Sequence, residues 1–195
     1  LLSREPKAVY LGLAEEYPQN VSVIADFLPV TQMWNTPVYI PKQYETVVKK
    51  IYGQFKIKPE IADLYQNQVK IPESAELNLN ISYESNVALI IVEKYGQNFE
   101  LSLNRMLNSI QNLNLNASFV DIPLRSPWVD AVVEILIHYG FIFAGVMPFI
   151  HKNGDHLRMQ KAGLNLDFNY IKTYSEMAGY LKKFILKEYH AIQKK

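Results

Sequence analysis

The sequence predicts an α/β domain of the α+β kind, a mixed central sheet flanked by helices and closed by a C-terminal hairpin and a tail helix. Two observations of pattern predict it: apolar runs with the period of a strand alternate with apolar stripes of helical period, and an Asn153-Gly154 pair sits between two apolar segments near the end. The third is bulk. Of 195 residues 49% are hydrophobic, with 13 Tyr, 9 Phe and 2 Trp, enough for one sizeable core or two small ones.

Charge and composition exclude several classes of function. Twenty Lys and Arg against 19 Asp and Glu leave a net charge of +1, so no global field gathers a nucleic acid, and none is expected as a partner. The absence of cysteine removes disulfides, thiolate metal sites and a cysteine nucleophile. The most apolar stretch, residues 131–150, contains Glu134, His138, Gly140, Gly145 and Pro148, groups a lipid-spanning helix would have to bury, so no membrane span is expected. The chain opens Leu-Leu-Ser-Arg-Glu-Pro, without Met and without the pattern of a secretory signal; the expectation is a piece of a larger cytoplasmic protein.

Residues 21–30, Val-Ser-Val-Ile-Ala-Asp-Phe-Leu-Pro-Val, are β-rich and read as a first strand that Pro29 ends or places at an edge. A short extended piece follows at 37–41. Tyr44, Val47, Val48, Ile51, Tyr52 and Phe55 then recur at three- and four-residue steps, one face of a helix. Leu77, Leu79, Ile81 and Tyr83 alternate with polar residues, a strand with one wet face, and Glu84-Ser85-Asn86 turns the chain.

Residues 87–92 are Val-Ala-Leu-Ile-Ile-Val, which reads as a strand covered on both faces and the centre of the sheet. Tyr95-Gly96-Gln97-Asn98 breaks it, and Asn98 is placed to cap a helix marked by Phe99, Leu103, Met106, Leu107 and Ile110. Residues 117–122 supply another strand. Ser126-Pro127 signals a helix start, and Gly140 ends that helix after Tyr139. The hairpin runs through 141–150 and 155–161, and Tyr174, Met177, Leu181, Phe184, Ile185, Tyr189 and Ile192 trace the apolar stripe of the tail helix.

Few residues suggest chemistry. The Gly96 turn, between a strand and a helix start, would aim backbone N–H groups at one spot, which suits an anion, although a turn that needs Gly for its backbone is the commoner case. Asp130, Glu134 and His138 share a helix face and read as its solvated stripe rather than as a metal site; no metal is expected. His151 and His156, on either side of the hairpin turn, read as exposed punctuation. Trp34 and Trp128 read as core or interface aromatics, and the lysines at 182, 183, 187, 194 and 195 as the wet side of a helix docked on its own core. No Gly-x-Ser-x-Gly elbow is present.

The order of elements from residue 87 onward, with Gly140-Phe141 at a helix end, then Phe143-Ala-Gly-Val-Met-Pro148, then Gly154-Asp-His-Leu-Arg-Met-Gln160, resembles the latter half of the GNAT superfamily of acyl-CoA-dependent N-acyltransferases. Val38-Tyr-Ile-Pro41 with Ile51-Tyr52 is similar to the GNAT-like region at the C-terminus of larger bacterial proteins that also carry a histidine-kinase-type ATP-binding module. The resemblance covers about residues 37–161. It implies a GNAT-like domain over 37–195, with 1–36 either the tail of a preceding domain or the first strand of this one.

The resemblance also implies a site. In such enzymes two parallel strands splay, the gap admits pantetheine, and a Gly-rich loop holds pyrophosphate at a helix start. Carried over, Val92, Glu93 and Lys94 would pair with pantetheine, and Tyr95, Gly96, Gln97 and Asn98 would face phosphate, with acetyl-CoA or another acyl-CoA as donor and a small-molecule or protein amine as acceptor. The chain departs from the pattern: only Gly96 stands in the loop, and Val129 and Leu136 occupy the usual Asn and Tyr positions, so the general acid is missing. Glu93 is the remaining candidate for a catalytic base. The expectation is therefore an acyltransferase-like domain degenerate at its catalytic positions; the alternative is a non-catalytic module that senses a ligand or binds a protein partner, such as the neighbouring ATP-binding domain.

Overall fold

The computed structural model describes residues 37–55, 57–62, 70–151, 154–162 and 168–193. The strand expected at 21–30, Trp34, Asn153, Lys194 and Lys195 lie outside them. After a 3-10 turn at Lys42–Tyr44 the elements are α1 (Glu45–Gln54), β1 (Glu76–Ser82), β2 (Val87–Lys94), α2 (Phe99–Ile110), β3 (Ala117–Pro123), α3 (Val129–His138), β4 (Ile142–His151), β5 (Gly154–Ala162) and α4 (Glu176–Gln193). The five strands form one mixed sheet in the order β1-β2-β3-β5-β4, parallel between β2 and β3 and antiparallel elsewhere. This is the helix-flanked mixed sheet that the sequence predicts. No helix among the described residues is long and apolar enough to cross a membrane.

Register sorts the side chains onto two faces. Leu77 and Leu79, Ile90 and Val92, Val120 and Ile122, Leu157 and Met159, and Phe143 and Val146 share one face, and the buried residues of α1, α2 and α3 belong to the same cluster. α4 lays Met177, Leu181, Phe184 and Ile185 against it, so its apolar stripe is a docking face, as expected. Tyr174 is 93% exposed and stands outside that stripe. Both crossovers, through α2 and through α3, run in the same direction across the sheet, and a right-handed path puts both helices on the same side. The opposite face carries Asn78, Asn80, Leu89, Ile91, Glu93, Phe119, Asp121, His156 and Arg158.

Two expectations need correction. Among the described strands the central place belongs to β3 and not to β2. Nor is β2 covered on both faces: Ala88, Ile90 and Val92 are buried while Val87, Leu89 and Ile91 are half-exposed, because the described helices dock on one side. A continuous apolar run marks an interior strand without saying which interior strand it is. The remaining local signals translate directly. Gly140 takes φ +84°, and Phe141 N–H donates to Leu136 O at 2.9 Å while Gly140 N–H donates to Ile137 O at 3.0 Å, the paired bonds that close a helix through a left-handed residue.

Two carboxyls, buried Asp155 and half-buried Glu188, fasten the helices to the sheet. Asp155 accepts from Tyr52 Oη at 2.6 Å and from Phe149 N–H at 3.2 Å, holding α1 and the irregular end of β4, where Phe149 has φ +50°. Glu188 Oε2 accepts from Tyr44 Oη at 3.1 Å and from Phe143 N–H at 2.8 Å, tying α4 to the turn before α1 and to β4. Phe184 packs edge-on against both rings, at 6.2 Å from Tyr44 and 5.4 Å from Phe143. Burial pushes both carboxyls above the ordinary range, outweighing the hydrogen bonds that pull the other way.

Because the folded pKa of each carboxyl is raised, the stability it contributes is complete below about pH 4, where the unfolded carboxyls titrate, and is lost as pH rises through the folded value. Replacing Glu188→Gln keeps an acceptor for Tyr44 and removes the charge, so urea titrations from pH 4 to 7 are expected to show a flatter stability profile than the wild type. Glu188→Ala leaves both donors without a partner and is expected to cost about 1–3 kcal/mol. An unchanged pH slope in Glu188→Gln would contradict this account.

Candidate functional site: a split in the sheet

The parallel seam between β2 and β3 runs from Val87↔Ala117 to Ile91↔Asp121 and stops there. Beyond it both strands continue, each with its other neighbour. Val92 and Lys94 pair with Leu77 and Glu76 across a register shift in β1, while Ile122 and Pro123 pair with Leu157 and His156 of β5. The sheet divides there into β1-β2 and β3-β5-β4. Pro123 has no N–H to offer, and Leu124 N–H donates instead to Asp155 O at 2.9 Å, which keeps the end of β3 with β5.

The gap opens into a cleft of about 250 Å3 lined by Pro72, Glu93, Lys94, Tyr95, Pro123, Arg125, Ser126, Pro127 and Trp128. Its walls are mostly ring and proline surface. Trp128 faces Tyr95 at 6.2 Å between ring centroids, and Tyr95 leans on Phe99 at 5.3 Å. Burial, followed by the nearby Glu100 charge, pushes the Tyr95 phenol up. Lys94 reaches Glu76 at 3.7 Å, a long and exposed pair of little energetic weight, so Lys94 and Arg125 both supply positive charge to the cleft. The start signal at Ser126-Pro127 sits at this cleft: Ser126 Oγ accepts from Trp128 N–H at 3.4 Å, and α3 begins at Val129, two residues later than Pro127 in first position would have it.

Of the residues expected to make the site, Glu93, Lys94 and Tyr95 line the cleft. Val92 points away from it into the core, 1% exposed. Glu93 Oε1 accepts from Asn78 Nδ2 at 3.2 Å, on the face of the sheet without helices. Gly96, Gln97 and Asn98 are engaged within the chain: residues 72–75 lie across them as a clasp. Gln97 N–H donates to Pro72 O at 2.8 Å, and Ala75 N–H donates to Asn98 Oδ1 at 2.6 Å. A Cβ on Gly96 would stand 2.3 Å from the Ser74 carbonyl carbon. The glycine is required for close approach by a second stretch of backbone. Asn98 precedes α2 but its side chain makes no bond to the helix, because its oxygen is taken by Ala75.

On the helix-free face a second cluster lies where the seam ends. Asp121, fully buried, accepts from Arg158 Nε at 2.6 Å and Nη2 at 2.7 Å, and from His151 Nε2 at 2.7 Å. A carboxylate accepts, so His151 carries its proton on Nε2 in this bond. His156, 1% exposed, donates through Nδ1 to Gly154 O at 2.8 Å and meets the His151 ring edge to face at 4.7 Å. Burial pushes the His156 imidazole below its ordinary range, with the neighbouring His151 adding to the effect. The two histidines are thus part of a buried polar network and not exposed punctuation. What sequence alone lacked was register: Asp121↔Arg158 and Pro123↔His156 become neighbours only through the β3–β5 pairing.

The other predicted constellations stay apart. Glu134 and His138 are exposed on α3, while Asp130 Oδ1 accepts from Lys42 N–H at 3.1 Å; they form the solvated stripe expected. No group of metal-competent side chains occurs among the described residues. Leu136, where the resemblance implies a general acid, is fully buried. Tyr139, three residues on, directs its hydroxyl to Glu100 Oε1 at 3.5 Å.

No protein-family model matches the chain, and no curated protein does. Among solved structures, a spermidine N-acetyltransferase chimera from Vibrio cholerae and hSSAT is 21% identical, with a TM-score of 0.36, over 46% of this chain and 59% of that one. The dodecameric spermidine N-acetyltransferase from Vibrio cholerae is 23% identical, with a TM-score of 0.33, over 46% and 57%. An acetyltransferase of the GNAT family from Streptococcus pneumoniae is 16% identical, with a TM-score of 0.32, over 45% and 57%. The match therefore spans somewhat more than half the length of each of these structures.

The clasp makes Gly96→Ala a sensitive variant. The added methyl meets backbone on the 72–75 segment, which cannot rotate aside, so chemical denaturation is expected to show a loss of about 1–3 kcal/mol. A neutral substitution would mean that the loop stands open in solution.

Proposed function

We propose that the domain spanning 37–195 is an acyltransferase-like domain of GNAT type whose cleft receives the pantetheine arm of an acyl-CoA, acetyl-CoA or another. The observation that carries this reading is the early end of the β2–β3 seam. Two neighbouring parallel strands that stop bonding at Ile91 and Asp121 frame a gap lined by Glu93, Lys94, Tyr95, Pro123 and Trp128. A pantetheine arm is extended, carries amides that can bond to a strand, and has hydrocarbon between them, so it suits this combination. Arg125 and Lys94 suit an anionic end.

The residues fit the arm and not the diphosphate expected at Gly96, since Gln97 N–H and the space above Gly96 are occupied by residues 72–75. Chemistry at the cleft would rest on positioning, which by itself supplies a large part of the acceleration of acyl transfer to an amine. In that reaction the amine nitrogen bonds to the thioester carbonyl carbon, the C–S bond breaks, and the ammonium proton passes to a base. On the helix-free face Glu93 and the His151–Asp121 pair are the groups that would take it. The acceptor is then an amine, small or protein-borne, approaching from that side.

The second reading is a non-catalytic module that senses a thioester or another elongated ligand, or binds a protein partner, within a larger bacterial protein bearing an ATP-binding module. Buried Leu136 and the clasp over Gly96 favour it. The first reading and the ligand-sensing form of the second predict ligand in the cleft, the protein-binding form does not, and only the first predicts turnover.

Calorimetric titration with acetyl-CoA is expected to give a Kd in the micromolar range, and Trp128→Ala to weaken it about tenfold or more by removing an aromatic wall. Silence at millimolar acetyl-CoA would remove the cleft reading. Thiol release in the presence of a panel of primary amines, observed or absent, separates the enzyme from the module.

A further inference from the structure

We propose that the cleft recognises its acyl donor through the pantetheine arm alone, so that a pantetheine thioester without the nucleotide is as good a ligand as the CoA ester. The inference rests on the cleft reading above and narrows its substrate class. A nucleotide diphosphate at a strand-to-helix turn is ordinarily held by free N–H groups of the loop and the first helical turn, and it needs a glycine whose missing side chain lets the phosphate approach. At Gln97 N–H and in the space above Gly96, protein backbone takes these places instead.

Three contacts close the spot. Pro72 O takes the Gln97 N–H at 2.8 Å, where a phosphate oxygen would sit. Ser74 and Ala75 backbone fills the room above Gly96, with a Cβ position 2.3 Å from Ser74 C and 2.4 Å from Ala75 N. Ala75 N–H is fixed on Asn98 Oδ1 at 2.6 Å, so the clasp is held at both ends of the turn. The loop is further committed by Phe99 N–H, which donates to Gly96 O at 3.0 Å. A diphosphate could reach these amides only by breaking the clasp, and its binding would have to exceed that cost.

The cleft itself is unaffected, since Pro72 at the base of the clasp is one of its walls. What remains for a ligand is a gap of about 250 Å3, mostly apolar in its lining, with Arg125, Lys94 and Glu93 as its charged residues. That volume is in keeping with a single small arm. A donor in which the arm is attached elsewhere, as a phosphopantetheine thioester, presents everything this cleft can read.

The test uses two defined ligands on the whole 195-residue chain, S-acetylpantetheine and acetyl-CoA, titrated by calorimetry under the same salt conditions. The expected result is two dissociation constants within fivefold of each other. Acetyl-CoA binding more than fivefold tighter, or binding where acetylpantetheine gives no heat, overturns the inference and leaves the cleft reading standing. No heat from either ligand at millimolar concentration overturns the cleft reading and the inference with it.

Discussion

The five-residue parallel seam between β2 and β3 is the constraint on which the rest of the molecule depends. It joins two half-sheets with different loyalties: β2 stays with β1 to its last residue, and β3 stays with β5. A strand cannot follow two diverging neighbours at once, so once each half keeps its own antiparallel partner the seam must open. The opening places backbone from β2, proline surface from the end of β3 and the Trp128 ring from the start of α3 around one cleft. It also sets Asp121 at the last bonded pair, where Arg158 and His151 converge on a buried carboxylate.

Burial on one side explains how so small a sheet holds that division. All four described helices cover one face, and their shared cluster spans both half-sheets, from Leu77 and Val92 to Leu157 and Phe143. Asp155 and Glu188 then act where apolar packing has no directional preference. Each is a single carboxyl accepting one phenol and one backbone N–H, so each fixes a helix or turn against β4 at a definite position. The opposite face carries polar Asn78, Glu93, Asp121, His156 and Arg158 beside apolar Leu89, Ile91 and Phe119, with Asp121 and His156 buried.

The clasp at 72–75 separates two functions that a strand-to-helix turn often combines. The turn still changes chain direction and still needs glycine, but the need comes from intramolecular backbone packing. On the proposed reading, a donor is recognised by the gap between the strands and not by the helix start. Leu136 is buried in the core on α3, while Asp121 and His151 are hydrogen-bonded on the other face of the sheet.

Local order was legible without coordinates. The three- and four-residue steps from Tyr44 to Phe55, the alternation of β1, the Gly140 stop and the pairing of β4 with β5 all follow from rules that act within a few residues, and each stands in the structure. Pairing across the chain was not legible. That β3 rather than β2 is central, that the seam ends at Ile91, that residues 72–75 lie over Gly96, and that His151 reaches Asp121 depend on contacts between segments about 20 to 40 residues apart, which leave no periodic trace in either segment. The sequence by itself determined which segments are strands and helices and which of their faces are apolar, because backbone sterics and side-chain period are local. Only the tertiary structure decided which N–H groups remain for a ligand, because a neighbouring carbonyl competes for them and its position is set by the whole fold.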